Sequence, residues 1–231
     1  AGSVGVKPVP NWPNEPCATL WKHPWLKRGN MRIALNARIL QAPRTGIGHY
    51  VAELVSALSS EPDVELSLFH GWGWSSSLPD AAMPGYSRLT PWLRQIPGAY
   101  QARRWLAQKR FDQGRSRAID LYHEPSLWPL SFDGPTVITL HDLTHLHYPE
   151  TQPPARLREI ERRLAEGVQQ ARLILTDSQY IADEAQAWFA LPAERFVVAP
   201  LGVAARFHPR EPEVLDAVLN AHGVEMRDYF L

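Results

Sequence analysis

Short apolar runs alternate with stretches of helical periodicity along most of this chain, and that alternation limits the folds open to it. Residues 136–140 (TVITL) are apolar and β-branched without polar alternation, as in a strand buried on both faces. Residues 32–37, 119–122, 172–176 and 196–198 read as further strands, and 64–69 (VELSLF) alternates as a half-buried one does. Between them, Tyr50, Val51, Leu54, Val55 and Leu58 share one helical face. Residues 100–118 and 155–171 are also helical in pattern, the latter with Leu157, Ile160, Leu164 and Val168 on one side. A helix capped by Ser178 is expected to run to Phe189, and another over 213–220. Strand–helix–strand order demands parallel pairing, because parallel neighbours need a crossover. The expected class is therefore α/β, a doubly wound, mainly parallel sheet with helices on both faces.

The 231 residues suffice for one large domain with its own core. Acids and bases balance at 24 each, so no global field recruits nucleic acid. A single cysteine, Cys17, excludes an internal disulfide framework and a Cys-based zinc cage, and it suits a reducing compartment. No run approaches the roughly 18 apolar residues of a membrane span, and the opening lacks a signal-peptide pattern. The expected location is cytoplasmic. Residues 1–30 carry five prolines and Trp12, Trp21 and Trp25 without apolar periodicity. They read as an extended arm whose tryptophans pack on the domain or dock a partner. The domain is expected over 31–210. Residues 211–231 then read as the start of a connection to a second domain, because 228–231 open like a new strand. The chain is expected to be a fragment.

Ligands of open α/β sheets bind at the carboxyl ends of the strands, and four places there carry polar chemistry. Gly46-Ile47-Gly48-His49-Tyr50 lies between the first strand and the first helix. Glycines there let backbone approach a phosphate at a helix N-terminus. Val51 breaks the dinucleotide fingerprint, so a structural turn explains the segment equally well. His141-Asp142-Leu143-Thr144-His145 follows the most buried strand. His141 and Asp142 can contact a sugar hydroxyl or a developing charge. With His123, Glu124 and His145 they can also be read as a metal site, or as loop residues without a ligand. Residues 92–118 hold Arg103, Arg104, Lys109 and Arg110 among seven bases against one acid, with aromatics interleaved. That suits an anionic membrane surface or a solvated helix face. Finally, Thr176-Asp177-Ser178 and residues 200–203 lie at strand ends, where they line a cleft or simply form turns.

Five segments resemble, in order and spacing, the N-terminal half of retaining GT-B glycosyltransferases of family 4. They are MRIALNARILQAPRTGIGHYVAELVSAL, DLYHEPSLWPL, TVITLHDLTHLHYPE, LILTDSQYIADEA and ERFVVAPLGVAARFHP, covering about residues 31–209. The subgroup most resembled makes bacterial surface polysaccharides, often transferring mannose or a related sugar. The resemblance implies a Rossmann-like domain forming the acceptor-side half of a GT-B architecture. A second domain would hold the donor, a GDP- or UDP-linked nucleotide sugar, with no cofactor or obligatory metal required. Gly46, Ile47 and Gly48 match the loop that approaches the donor diphosphate. His141 matches the histidine beside the donor sugar, with Asp142 next to it. His49, Tyr50, His123, Glu124 and Ser178 become candidates for the acceptor cleft. The acceptor is expected to be a growing or lipid-linked saccharide, reached by peripheral membrane contact through the basic helix. The family's E-x7-E element has only a misplaced match here, Glu53 and Glu61, so the isolated chain is expected to be inactive. Two other readings are a metal-dependent hydrolase using His123, His141, Asp142 and His145, and a non-catalytic sugar-binding module.

Overall fold

The computed structural model describes residues 30–78, 99–114, 118–126, 129–204, 207–208 and 210–224. The arm, with Trp12, Trp21 and Trp25, and the strand expected at 228–231 lie outside these residues. The chain divides into two compact units, residues 1–200 and 201–231.

In the first unit the strands are β1 (Met31–Asn36), β2 (Val64–Phe69), β3 (Trp74–Ser75), β4 (Leu121–Glu124), β5 (Thr136–Leu140), β6 (Leu173–Thr176) and β7 (Phe196–Val198). The helices are α1 (Gly46–Ser59), α2 (Ala99–Gln113), the single turn α3 (Thr144–His147), α4 (Pro154–Gln170) and α5 (Gln179–Phe189). Among the described residues the strands form one sheet in the order β3-β2-β1-β4-β5-β6-β7. All neighbours are parallel except β2 and β3. This is the doubly wound, Rossmann-like sheet that the alternation implies. Two elements differ from the sequence reading by more than one residue. The strand expected at 119–122 runs over Leu121–Glu124, and the Asp120 carboxylate just before it is held by the Arg32 guanidinium at 2.9 and 3.0 Å. The helix expected at 100–118 ends at Gln113, short of Ala118. The short β3 hairpin arm carries too few residues to show a period.

Each sheet face has its own core. Met31, Ile33, Leu35, Leu66 and Leu68 pack under Val51, Ala52 and Val55 of α1. On the opposite face Ala34, Phe69 and Tyr122 meet Ala107 and Phe111 of α2. Further along that face Ile138, Leu140 and Ile174 pack under Ile160, Leu164 and Val168 of α4. A fully buried Leu, Ile or Val contributes roughly 1.5–3 kcal/mol, so these stripes hold the helices in place. Gly167 sets how closely α4 approaches the sheet. A Cβ there would lie 2.5 Å from Pro129 Cγ and 3.2 Å from Ile138 Cδ1. Ser178 caps α5 as expected, its hydroxyl accepting from the Ile181 N–H at 3.3 Å.

The second unit holds helix α6 (Pro212–Ala221). Gly223 ends it in the left-handed region, φ 63°, where glycine is free of the Cβ penalty.

Candidate functional site

The strand order reverses between β1 and β4, so the crevice of the sheet lies at their carboxyl ends. The chain leaves β1 through a turn of 3-10 helix (Arg38–Gln41) and enters α1 at Gly46. Thr45 occupies the cap position without a side-chain cap. The first N–H groups of α1 therefore lack the usual side-chain acceptor, and the helix dipole adds positive potential there. A Cβ at Gly46 would meet nothing within 4 Å, while Gly48 is buried against Arg44. Ile47 is half-buried and His49 exposed.

Parallel register brings the ends of β5 and β6 together. Leu140 pairs with Thr176, which sets the next residues, His141 and Asp177, side by side. His141 Nδ1 and Asp177 Oδ2 are 2.8 Å apart, the nitrogen donating to the carboxylate. That bond fixes the ring and leaves Nε2 as the nitrogen without a bond. Nε2 is buried and has no partner among the described residues. The Tyr50 ring stands edge-on to the imidazole, centroids 4.8 Å apart, and blocks its rotation. A ring so held presents one nitrogen that accepts from a hydroxyl when neutral and donates to an oxygen when charged.

Tyr50 also reaches Thr139 Oγ1 at 3.1 Å, and His123 Nε2 meets the same oxygen at 2.8 Å. Burial and the neighbouring His141 push the His123 imidazole down to about 4, so it is neutral at physiological pH. The phenol of Tyr50 is raised, chiefly by burial.

Glu124 lies on the other face of the sheet and is fully buried. Asn36 Nδ2 (2.6 Å) and the Tyr122 hydroxyl (2.7 Å) donate to its Oε2. The Ser126 hydroxyl (2.7 Å) and N–H (3.1 Å) donate to Oε1. Desolvation nevertheless raises the carboxyl to about 7. Both oxygens are engaged, so Glu124 ties β1, β4 and the following turn together rather than facing a ligand. His123 is likewise buried, its ring held by Thr139. Asp142 is exposed, and its Oδ1 accepts from the Thr144 N–H at 2.9 Å. The Ser178 hydroxyl is used in the cap. From the sequence, Asp177 is equally a cleft-lining residue and part of a turn, with no partner assigned to it. The signal that distinguishes it is the pair of strand ends LHD and LTD, whose parallel register makes their polar residues neighbours.

Three His, Cys, Asp or Glu groups do not converge as metal ligands anywhere among the described residues. His123 is bonded to Thr139, His141 to Asp177 and Asp142 to the backbone, while His145 is buried. The hydrolase reading therefore loses its ligand set. On α2, Arg103, Lys109 and Arg110 are exposed, with Lys109 Nζ 4.7 Å from the centroid of exposed Trp105. Arg104 differs. It is half-buried, on the stripe of Ala107 and Phe111 that faces the core, and so is not on the exposed basic face. No helix among the described residues is long and apolar enough to cross a membrane.

This Rossmann-like sheet with an open helix N-terminus and an oriented histidine at its carboxyl edge is matched by the family model Glycosyltransferase Family 4 over residues 44–207. The chain belongs to glycosyltransferase family 4. It is similar to O-antigen chain mannosyltransferase B of Escherichia coli, 31% identical over 209 residues. That match covers 87% of this chain but 55% of the relative, so the chain spans about half the length of the curated relative it matches.

Proposed function

We propose that this chain is the acceptor-side half of a retaining hexosyltransferase. The complete protein moves mannose or a related sugar from a GDP- or UDP-linked donor to a growing or lipid-linked polysaccharide. The observation that carries this reading is the His141–Asp177 pair, whose Nε2 is left without a protein partner. When the bond between sugar and diphosphate breaks, negative charge gathers on the diphosphate and positive charge near the anomeric carbon. The free N–H groups of the first turn of α1, at Gly46–Gly48, suit the former. His141 binds a hydroxyl of the sugar and fixes it against the attacking acceptor, and Asp177 keeps the ring in register. Residues outside this chain supply most of the donor pocket, in keeping with the length of the relative. The test is the anomeric configuration of the product made by the complete protein from α-linked GDP-mannose and UDP-hexoses. Nuclear magnetic resonance is expected to show an α product, and a β product would overturn the retaining assignment.

The exposed bases of α2, with Trp105 among them, are the proposed contact with an anionic membrane on the cytoplasmic side. The 231-residue chain is expected to sediment with vesicles containing phosphatidylglycerol and not with neutral ones. Substituting Lys109 and Arg110 by Gln should release it, and equal sedimentation with both vesicles would remove the idea.

A further inference from the structure

The His141 ring hangs from one hydrogen bond. Nδ1 donates to Asp177 Oδ2 at 2.8 Å, and Nε2 is buried without a partner among the described residues. A single bond sets a distance but leaves the imidazole able to pivot about it. Any hydrogen bond made by Nε2 weakens steeply once its angle is lost. The Tyr50 ring opposes the pivot, meeting the imidazole edge-on at an interplanar angle of 83°.

Tyr50 is itself anchored. Thr139 and His141 lie two residues apart at the end of β5, which puts them on one face of the sheet. Thr139 is buried, and its hydroxyl is 3.1 Å from the Tyr50 hydroxyl and 2.8 Å from His123 Nε2. A hydroxyl carries one proton and two lone pairs, so Thr139 serves both neighbours at once. Parallel register supplies His123, which pairs with Val137, two residues before Thr139. The chain His123–Thr139–Tyr50 thus runs from β4 through β5 to α1 and ends on the ring beside His141. Tyr50 also lies one turn beyond Gly46 in α1. That first turn is closed by the His49 N–H, which donates to the Thr45 carbonyl at 2.9 Å. The free N–H groups at Gly46–Gly48 and the ring that holds His141 therefore belong to adjoining turns of one helix.

We propose that Tyr50, anchored by Thr139 and His123, is a positioning residue that fixes His141 relative to the N-terminus of α1. It aligns the sugar hydroxyl bound at His141 with the diphosphate bound at Gly46–Gly48, and this part rests on the function proposed above. The Tyr50 hydroxyl is engaged by Thr139, so Tyr50 acts through His141 and not by holding the acceptor.

Three variants test the chain. Tyr50→Phe keeps the ring and removes its anchor, Thr139→Val keeps the volume and removes the shared hydroxyl, and Thr139→Ser keeps the hydroxyl. In the 231-residue chain with 13C-labelled histidine, the His141 Cε1–Hε1 resonance is identified by its loss in His141→Ala. Tyr50→Phe and Thr139→Val are expected to shift or broaden it, and Thr139→Ser to leave it in place. In the complete protein the first two should lower kcat about tenfold, less than the roughly hundredfold of a 1 Å misplacement, with donor KM unchanged. Thr139→Ser should retain the parent kcat. In the His141→Ala background Tyr50→Phe should cost nothing further, because it acts through the ring. Circular dichroism reports whether Thr139→Val folds, and Tyr50→Phe decides the matter if it does not. An unchanged resonance or an unchanged kcat in Tyr50→Phe overturns the proposal. So does an equal loss of kcat without His141, or a Thr139→Ser variant that behaves like Thr139→Val. A shifted resonance in Tyr50→Phe beside a complete protein that transfers no sugar keeps the positioning chain and removes the glycosyltransferase reading. Normal transfer with an unchanged resonance does the reverse.

Discussion

Replacing His141 by alanine in the complete protein is expected to cut sugar transfer by about 10²–10³-fold, the usual loss when one preorganised polar group at the reacting centre is removed. The fold should survive, because the ring is held by its contacts with Asp177 and Tyr50 and not by the apolar core. Asp177→Asn should cost less, roughly 10–100-fold, the range for residues that orient a ligand-binding group. The amide can no longer accept from Nδ1–H as an anion does, so the tautomer that exposes Nε2 for acceptance loses its support. The double variant should then be no worse than His141→Ala alone, since Asp177 acts only through the ring. Initial rates with saturating donor, together with the melting temperature of each variant, check this. Unchanged transfer by His141→Ala would end the role assigned to it.

The second large effect is on stability against pH, where two buried groups oppose one another. His123 titrates near 4 in the folded chain against an ordinary 6.5, so the unfolded chain binds the extra proton between those values. Its contribution therefore rises with pH across that window. Glu124 titrates near 7 against an ordinary 4.5, so here the folded chain holds the extra proton, and its contribution falls as pH rises. Between pH 4.5 and 6.5 the two slopes have opposite signs, each approaching about 1.4 kcal/mol per pH unit. In the unsubstituted chain they largely cancel. Glu124→Gln should reveal a stability that climbs with pH by about 2–3 kcal/mol over that window relative to the parent. His123→Gln should show the reverse slope. Urea midpoints measured at intervals across the window separate them, and two variants that parallel the parent would contradict the assignment.

The sheet was legible in the sequence because each strand is a short apolar run and α1 and α4 carry clear amphipathic stripes. The run TVITL of β5 is buried at every position, as its lack of alternation implies. β4 starts two residues later than the apolar run at 119–122, and the Asp120–Arg32 pair just before it joins residues 88 apart that no local pattern connects. The site was readable in part. His141 stands out by following a buried strand, but its partner Asp177 depends on register between two strands, which only the paired sheet fixes. Glu124 looked like a cleft carboxylate from its position at a strand end. Period-2 alternation instead puts it on the face under α2 and α4, where burial and four donors make it structural. Arg104 belonged to a basic run in one dimension and leaves it in three, because a 3.6-residue period turns it from Lys109 and Arg110 toward Ala107 and Phe111.

One comparison bears most directly on the account. Sugar transfer from labelled GDP-mannose and UDP-hexoses to membrane-extracted acceptor is measured for the 231-residue chain and for the protein encoded by its complete reading frame. Transfer by the complete protein and none by the chain alone is the result expected of an acceptor-side half. Turnover by the 231 residues alone, or none by the complete protein with any donor, would contradict it.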